Sequence, residues 1–222
     1  MSNGTKVVKR DGDIEPLNLE KMHKMVEEAT KDIAGVSASQ VEIQSGLQFY
    51  DGITTAEIQE ILVRSASDLI SLDNPNYQYV AARLLLFGVR KNIYGRMREL
   101  PHLLTQIKGG VDKGIYDSDI LNKYTEEEVE EVNSLIDHER DFLFTYAGLR
   151  QVVDKYLVQD RSTGELYETP QFMYMLIAMT IFANYPIENR LDYVRRYYNA
   201  ISRHRINIPT PIMAGVRTPI RQ

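Results

Sequence analysis

Residues 7–21 read Val-Val-Lys-Arg-Asp-Gly-Asp-Ile-Glu-Pro-Leu-Asn-Leu-Glu-Lys. Two short β-prone arms, 7–10 and 14–17, flank Asp11-Gly12. Asp-Gly between such arms predicts a hairpin closed by a type I′ turn, which needs positive φ at both central residues. Asn18 then stands where a helix N-cap is expected, just before an apolar-periodic run. A hairpin carrying Lys9 and Arg10, followed at once by a helix N-terminus, suits a polyanion. Ammonium and guanidinium groups meet phosphate oxygens, while backbone amides and the helix dipole add positive potential. In isolation the same residues also fit a solvated surface hairpin, and the rest of the chain decides between the two.

Working outward, composition narrows the classes. The chain has 222 residues, 43% hydrophobic and 26% charged, which suits ordinary globular folding in one large or two smaller domains. A net charge of −5 argues against bulk nucleic-acid binding, which needs a dominant positive field. The first fifteen residues are polar and charged, unlike a secretory signal. The longest apolar run, 172–183, is too short to span a bilayer and predicts a buried helix. No membrane partner is expected, and the expected location is the cytoplasm. Cysteine is absent, which excludes disulfides, thiolate metal sites and a cysteine nucleophile or thiyl radical within this chain.

Helical periodicity fills the region after the hairpin. A first helix is expected over 19–34, with Met22, Met25, Val26 and Ala29 inward. Ser37 with Gln40 and Thr54 with Glu57 are capping-box patterns that open the second and third helices. The third carries Ile58, Ile61, Leu62, Ser65 and Leu69 on one stripe. Asn74-Pro75 is expected to cap and start a fourth helix, with Tyr77, Val80, Ala81, Leu84 and Phe87 inward up to Arg90-Lys91. Four helices beneath a hairpin lid make a unit over 1–95. Gly95, Pro101, Gly109-Gly110 and Gly114 weaken the pattern after it, and the domain boundary is placed there, with a second domain over 96–222.

In that second part, Leu103–Ile107 predicts a short helix, and Thr125 with Glu128 predicts another capped start. Asp137-His138-Glu139-Arg140-Asp141 reads as a polar helix end rather than a ligand set, because adjacent helical residues do not share a face. Leu149, Val152, Val153 and Tyr156 mark a further helix, and 157–167 a second hairpin. Thr169-Pro170 opens the apolar helix, and Pro186 opens one reaching Ser202 with Leu191, Val194, Tyr197, Tyr198 and Ile201 inward. Arg195, Arg196, Arg203, His204 and Arg205 read as a solvated or subunit-contact face. Residues 206–222 hold three prolines among apolar β-formers and read as a fold that continues into a partner.

With these residues in view, the chain resembles the N-terminal part of the large (α) subunit of class I ribonucleotide reductase, of the bacterial and phage class Ia type. The first 95 residues resemble its ATP-cone through Val-Val-Lys-Arg-Asp-Gly at 7–12, Asn-Leu-Glu-Lys at 18–21, Tyr-Asp-Gly-Ile-Thr-Thr at 50–55, Asp-Asn-Pro-Asn-Tyr-Gln-Tyr at 73–79 and Arg90-Lys91. Tyr-Thr-Glu-Glu-Glu at 124–128, Asp-His-Glu-Arg-Asp at 137–141, Lys-Tyr-Leu-Val at 155–158, Thr-Gly-Glu at 163–165 and Pro-Thr-Pro-Ile-Met at 209–213 are similar to the opening of its catalytic domain. The resemblance implies a mainly α fold: a four-helix ATP-cone with a hairpin lid, then the helical entry of an α/β ten-stranded barrel and its first strand.

It also implies roles. Residues matching Val7, Lys9, Arg10, Glu15, Asn18, Lys21, Thr55 and Lys91 contact the allosteric effector, ATP or dATP, expected with Mg2+. Three lysines and an arginine suit a triphosphate, and the carboxylate and polar groups suit ribose and base. Thr210 matches a substrate-positioning threonine. Many relatives inhibited by dATP carry histidine where this chain has Gln59, which can donate and accept hydrogen bonds but not become cationic. The implied partners are a cysteine-bearing C-terminal remainder of the α subunit, a radical-generating β subunit, a second α copy and, indirectly, thioredoxin or glutaredoxin. No catalytic residue and no metal ligand are expected in this chain, which is taken to be inactive alone. A free-standing nucleotide-binding regulatory module is the alternative. A cone-bearing repressor is disfavoured because its zinc ribbon needs cysteines. The anaerobic glycyl-radical reductase is disfavoured by Pro-Thr-Pro-Ile-Met.

Overall fold

The computed structural model describes residues 4–220 and divides into two compact units. One comprises the chain up to Gly88 together with Phe144–Arg150, and the other comprises Val89–Leu143 and the chain from Gln151 onward. Arg221 and Gln222, the last residues of the apolar terminal stretch, lie outside the described residues.

The first unit begins with β1 (Lys6–Val8) and β2 (Ile14–Pro16), antiparallel with Val7 opposite Glu15. The turn differs from the expected type I′. The Gly12 amide donates to the Lys9 carbonyl at 3.0 Å, and the Lys9 amide to the Asp13 carbonyl at 2.8 Å. That is a three-residue loop with Gly12 alone at positive φ, +90°, the pattern of a type I turn followed by a glycine bulge. Asp11 therefore avoids the left-handed region, which costs a residue with a Cβ more than it costs glycine.

Asn18 caps α1 (Leu19–Thr30) as expected, its Oδ1 accepting from the Lys21 amide at 2.9 Å. The helix stops four residues short of Ala34. The Thr30 hydroxyl bonds back to the Val26 and Glu27 carbonyls, Asp32 has φ +58°, and an Arg83 guanidinium nitrogen takes the Lys31 carbonyl at 2.6 Å. Ser37 caps α2 (Ala38–Gly46), but the expected reciprocal bond from Gln40 is not made. The Tyr77 hydroxyl instead receives the Ser37 amide at 3.0 Å and donates to Gln40 Oε1 at 2.5 Å.

A strand that alternation did not signal follows. β3 (Ile53–Thr54) pairs parallel to β1, giving the sheet order β2-β1-β3. Two residues are too few to show a period of two. Thr54 and Glu57 form the full capping box of α3 (Thr55–Asp68), which buries Ile58, Leu62 and Ser65. The next helix, α4 (Tyr77–Tyr94), begins two residues after Pro75, which sits in the preceding turn. Its inward residues Tyr77, Val80, Ala81, Leu84 and Phe87 are buried as expected.

In the second unit, α5 (Leu103–Asp112) continues through Gly109-Gly110, contrary to the expected break. A Cβ on Gly110 would lie 2.1 Å from the Tyr116 ring, so this glycine serves close approach rather than termination. A short α6 (Asp119–Lys123) was not signalled. α7 (Glu126–Ser134) has the predicted Thr125–Glu128 box. The Asp137–Asp141 segment forms a 3-10 turn (His138–Leu143) instead of a polar helix end, with Asp141 fully buried. α8 (Tyr146–Lys155) straddles the division between the units and buries Leu149, Val152 and Val153.

The second hairpin reduces to a single bridge, Gln159 to Leu166. Asp160 there turns its carboxylate inward to the amides of Ser162 and Thr163, closing the loop locally. The central element is α9 (Pro170–Phe182), whose first ten residues are all buried. Packed on it is α10 (Ile187–Ser202), burying Val194, Tyr198 and Ile201. The proline-rich end gives α11 (Thr210–Gly215), not a strand, with Pro211 in the first helical turn where its missing N–H costs nothing. Among the described residues the second unit holds no strand, so the barrel's first strand is not seen here.

Three arginine–carboxylate pairs, two of them fully buried and the Arg190–Glu128 pair half-buried, tie this unit together. Arg90 meets Asp141 at 2.9 Å, and Asp141 also accepts from Gln171 at 2.9 Å. Arg190 Nε reaches Glu128 at 2.8 Å. Arg217 Nε lies 3.0 Å from both oxygens of Glu168, with the two side chains 1% and 0% exposed. Tyr116 and the Val158 amide complete the Glu168 carboxylate, at 3.0 and 2.9 Å.

Candidate functional site

The residues singled out in the hairpin assemble along one strand pair and its flanks. Val7 is buried in β1 directly across from Glu15 in β2. Lys9 and Arg10 occupy the turn end, and Asn18 and Lys21 lie at the start of α1 beyond the opposite end of β2. At about 3.3 Å per residue, the three paired positions give roughly 10 Å between those ends. Thr55 enters by a route the sequence did not show. Thr54 of β3 pairs with Val8 of β1, so Thr55, the first residue of α3, follows directly from the sheet near the turn end. Lys91 is carried by the last turn of α4, which Gly95 at φ +71° closes by donating its amide to the Lys91 carbonyl.

The electrostatics of this strip are set by a few pairs. Lys9 Nζ lies 3.1 Å from Glu15 Oε2, and that hydrogen bond, then the Glu15 charge, raises the lysine's pKa above its ordinary value. The ammonium stays cationic, held over the strand pair by a carboxylate that an anion would compete with. Glu57 is held below the usual carboxylate range by bonds from the Thr54 hydroxyl and amide and from Tyr50. It therefore stays an anion that satisfies the N-terminus of α3. Asp51 receives the Lys6 amide at 2.7 Å and ties the loop before β3 to β1.

No three histidine or carboxylate groups converge into a metal site among the described residues. The first unit also has a pocket of about 620 Å³ lined by Leu17, Leu19, His23, Glu42, Ile43 and Phe49 among others. The carboxylates of Glu20 and Glu42 in its wall make it a poor receptor for a polyphosphate.

Thr210 lies in the second unit, at the start of α11, with its hydroxyl 3.4 Å from that of Tyr156. The bond from Thr210 lowers the Tyr156 pKa, helped by Gln151 and Lys155. Arg217 joins the same region by donating to the carbonyls of Met213 at 2.6 Å and Tyr156 at 2.8 Å. Sequence reasoning named Thr210 but gave no role to Tyr156 or Arg217. Both roles depend on contacts between residues 49 to 61 positions apart.

Comparison with known proteins matches residues 5–92 to the ATP cone domain family and residues 142–221 to the family described as ribonucleotide reductase, all-alpha domain. The chain is 50% identical over all 222 residues to the ribonucleoside-diphosphate reductase 1 subunit alpha of Escherichia coli. It is 49% identical over 222 residues to the subunit alpha of Haemophilus influenzae, and 43% over 218 residues to that of Enterobacteria phage T4. It spans 29%, 29% and 28% of the lengths of these relatives. The chain carries an ATP cone and a ribonucleotide reductase all-alpha domain, and it belongs with the N-terminal region of ribonucleoside-diphosphate reductase α subunits.

Proposed function

We propose that this chain is the effector-sensing and entry portion of a ribonucleoside-diphosphate reductase α subunit of the class Ia type. Residues 1–95 bind ATP or dATP, as the magnesium complex, and thereby regulate reduction of ribonucleotides to deoxyribonucleotides. Residues 96–222 form the helical entry to the catalytic domain, where Thr210 helps position the substrate. The redox and radical chemistry falls to cysteines outside this chain, which has none. The whole enzyme then requires a cysteine-bearing remainder of α, a radical-generating β subunit, a second α copy and a thioredoxin or glutaredoxin reductant. Its place of work is the cytoplasm.

The observation that carries the effector assignment is the strip itself. Cationic side chains sit at its turn end, capped helix starts lie at both ends, the Glu15 carboxylate lies between and the Asn18 amide lies at the α1 end, both suited to ribose and base. The phosphate groups engage Lys9, Arg10, Lys21 and Lys91, while Glu15, Asn18 and Thr55 meet the sugar and base. The test is calorimetric titration of the chain with Mg-ATP and Mg-dATP. The expected result is saturable binding that the double change Lys9→Ala/Arg10→Ala weakens by roughly a hundredfold, about 1–3 kcal/mol per charge-assisted contact. Unchanged affinity in that variant overturns the phosphate role.

A further inference from the structure

We propose that Tyr156 is a positioning residue of the substrate seat. Its phenol proton goes to the Thr210 hydroxyl, which leaves the threonine's own proton to donate to an acceptor oxygen of the ribonucleotide. This rests on the substrate role proposed above for Thr210.

Thr210 is exposed at the start of α11, between Pro209 and Pro211. Each proline ring fixes its own φ, and the branched Cβ of threonine restricts χ1, so the oxygen is presented from a stiff frame. What stays free is rotation of the hydroxyl about its C–O bond, which decides whether it donates or accepts. The half-buried Tyr156 places its phenol oxygen 3.4 Å from it.

Tyr156 follows α8 directly and is held by its backbone. Its amide donates to the Val152 carbonyl at 2.9 Å, and its carbonyl accepts from Arg217 Nη2 at 2.8 Å. The same guanidinium donates to the Met213 carbonyl of α11 at 2.6 Å. One buried anchor therefore sets the distance between the two hydroxyls.

Gln151 of α8 settles the direction. Its Nε2, which can only donate, faces the phenol oxygen at 3.4 Å. A neutral phenol has one proton to give, and an oxygen accepting from Gln151 turns that proton to its other neighbour, Thr210. Thr210 then accepts from Tyr156 and presents its own proton on its exposed side. The order Gln151, Tyr156, Thr210 thus ends in a donor. A ribonucleotide offers acceptor oxygens, and a seat already set as a donor meets one without reorganising. Both contacts are long for hydrogen bonds, and substrate binding is expected to tighten them.

The experiment uses the assembled reductase, an α subunit containing this chain with the radical-generating β subunit and a dithiol reductant. It measures kcat and KM for a ribonucleoside diphosphate with Tyr156→Phe, Thr210→Val and the double variant, and records thermal unfolding of each. Tyr156→Phe is expected to raise KM roughly three- to tenfold, the scale of one hydrogen bond, with the larger part of the loss in KM rather than kcat. The double variant should be no worse than Thr210→Val, because Tyr156 acts through that hydroxyl. A Tyr156→Phe enzyme whose unfolding midpoint falls while KM stays put overturns the inference, since that is packing alone. A double whose loss is the product of the singles overturns it too. The substrate reading fails separately. Thr210→Val with a wild-type KM removes the Thr210 role and this inference with it, and a wild-type enzyme that reduces no ribonucleotide removes the reductase reading as well. A raised KM for Thr210→Val beside wild-type values for Tyr156→Phe removes only the part given to Tyr156.

Discussion

At the scale of single residues, the buried guanidinium of Arg217 shows how a side chain near the end of the sequence governs residues far before it. It neutralises Glu168 and donates to the carbonyls of Met213 and Tyr156, which tethers the helix bearing Thr210. An arginine 1% exposed is tolerable only because every polar contact is met by a partner fixed elsewhere. Arg217→Met is therefore expected to destabilise by about 3–5 kcal/mol, since it strands a buried carboxylate. Arg217→Met/Glu168→Leu should recover most of that loss. Urea unfolding of the three proteins checks it, and a double variant as unstable as the single would contradict the account. The sequence offered no sign of this pair: Arg217 stood in a stretch read as β-forming, and Glu168 beside the start of an apolar helix.

At the scale of elements, the strongest readings came from features whose physics is complete within four or five residues. The Asn18 cap and the Thr54–Glu57 and Thr125–Glu128 boxes form as expected, because donor, acceptor and helix start lie together in sequence. Readings failed where a distant group changes the local choice. Gln40 gives up its box to the Tyr77 hydroxyl, and β3 exists only because β1 lies beside it. The glycine pair in α5 makes the distinction measurable. Gly109→Ala meets nothing within 4 Å and should stabilise by up to about 1 kcal/mol from helix propensity alone. Gly110→Ala drives a methyl into the Tyr116 ring and should cost about 1–3 kcal/mol. Two neighbouring glycines with opposite signs in thermal unfolding are the expected outcome, and equal signs would contradict the packing described.

At the scale of the whole molecule, two histidines make stability respond to pH in opposite directions. His23 contacts Glu42 of α2 at 2.6 Å and Glu27 of α1 at 3.1 Å, and the Glu42 bond and charge raise its pKa above 6.5. Its contribution is full below pH 6.5 and disappears as pH rises through the raised folded value. His138 lies edge-on to Phe172 at 4.8 Å between ring centroids, and burial, then the Arg90 charge, lowers its pKa to about 4. The unfolded state binds the extra proton between about 4 and 6.5, so this contribution is full above pH 6.5 and is lost as pH falls towards 4. The shift corresponds to about 3 kcal/mol. His138→Phe should flatten the pH dependence of unfolding on the acid side, whereas His23→Gln should alter only the side above pH 6.5. Identical profiles for both variants would refute the assignment.

The sequence by itself determined the mainly helical fold, the hairpin with Lys9 and Arg10 at its turn, the capped starts of α1, α2, α3 and α7, the burial of α9 and the family. All but the family rest on local chemistry or on periodicity that survives in any context, and the family rests on the likeness of whole motifs. Tertiary structure alone decided that Gly12 serves a bulge, that a third strand brings Thr55 beside the hairpin, and that the Tyr156 hydroxyl lies beside that of Thr210. It also decided that Asp141, Glu168 and Arg217 are buried and paired. Those outcomes depend on which groups meet across dozens of residues, because a charge enters an interior only where folding has already brought its counter-charge.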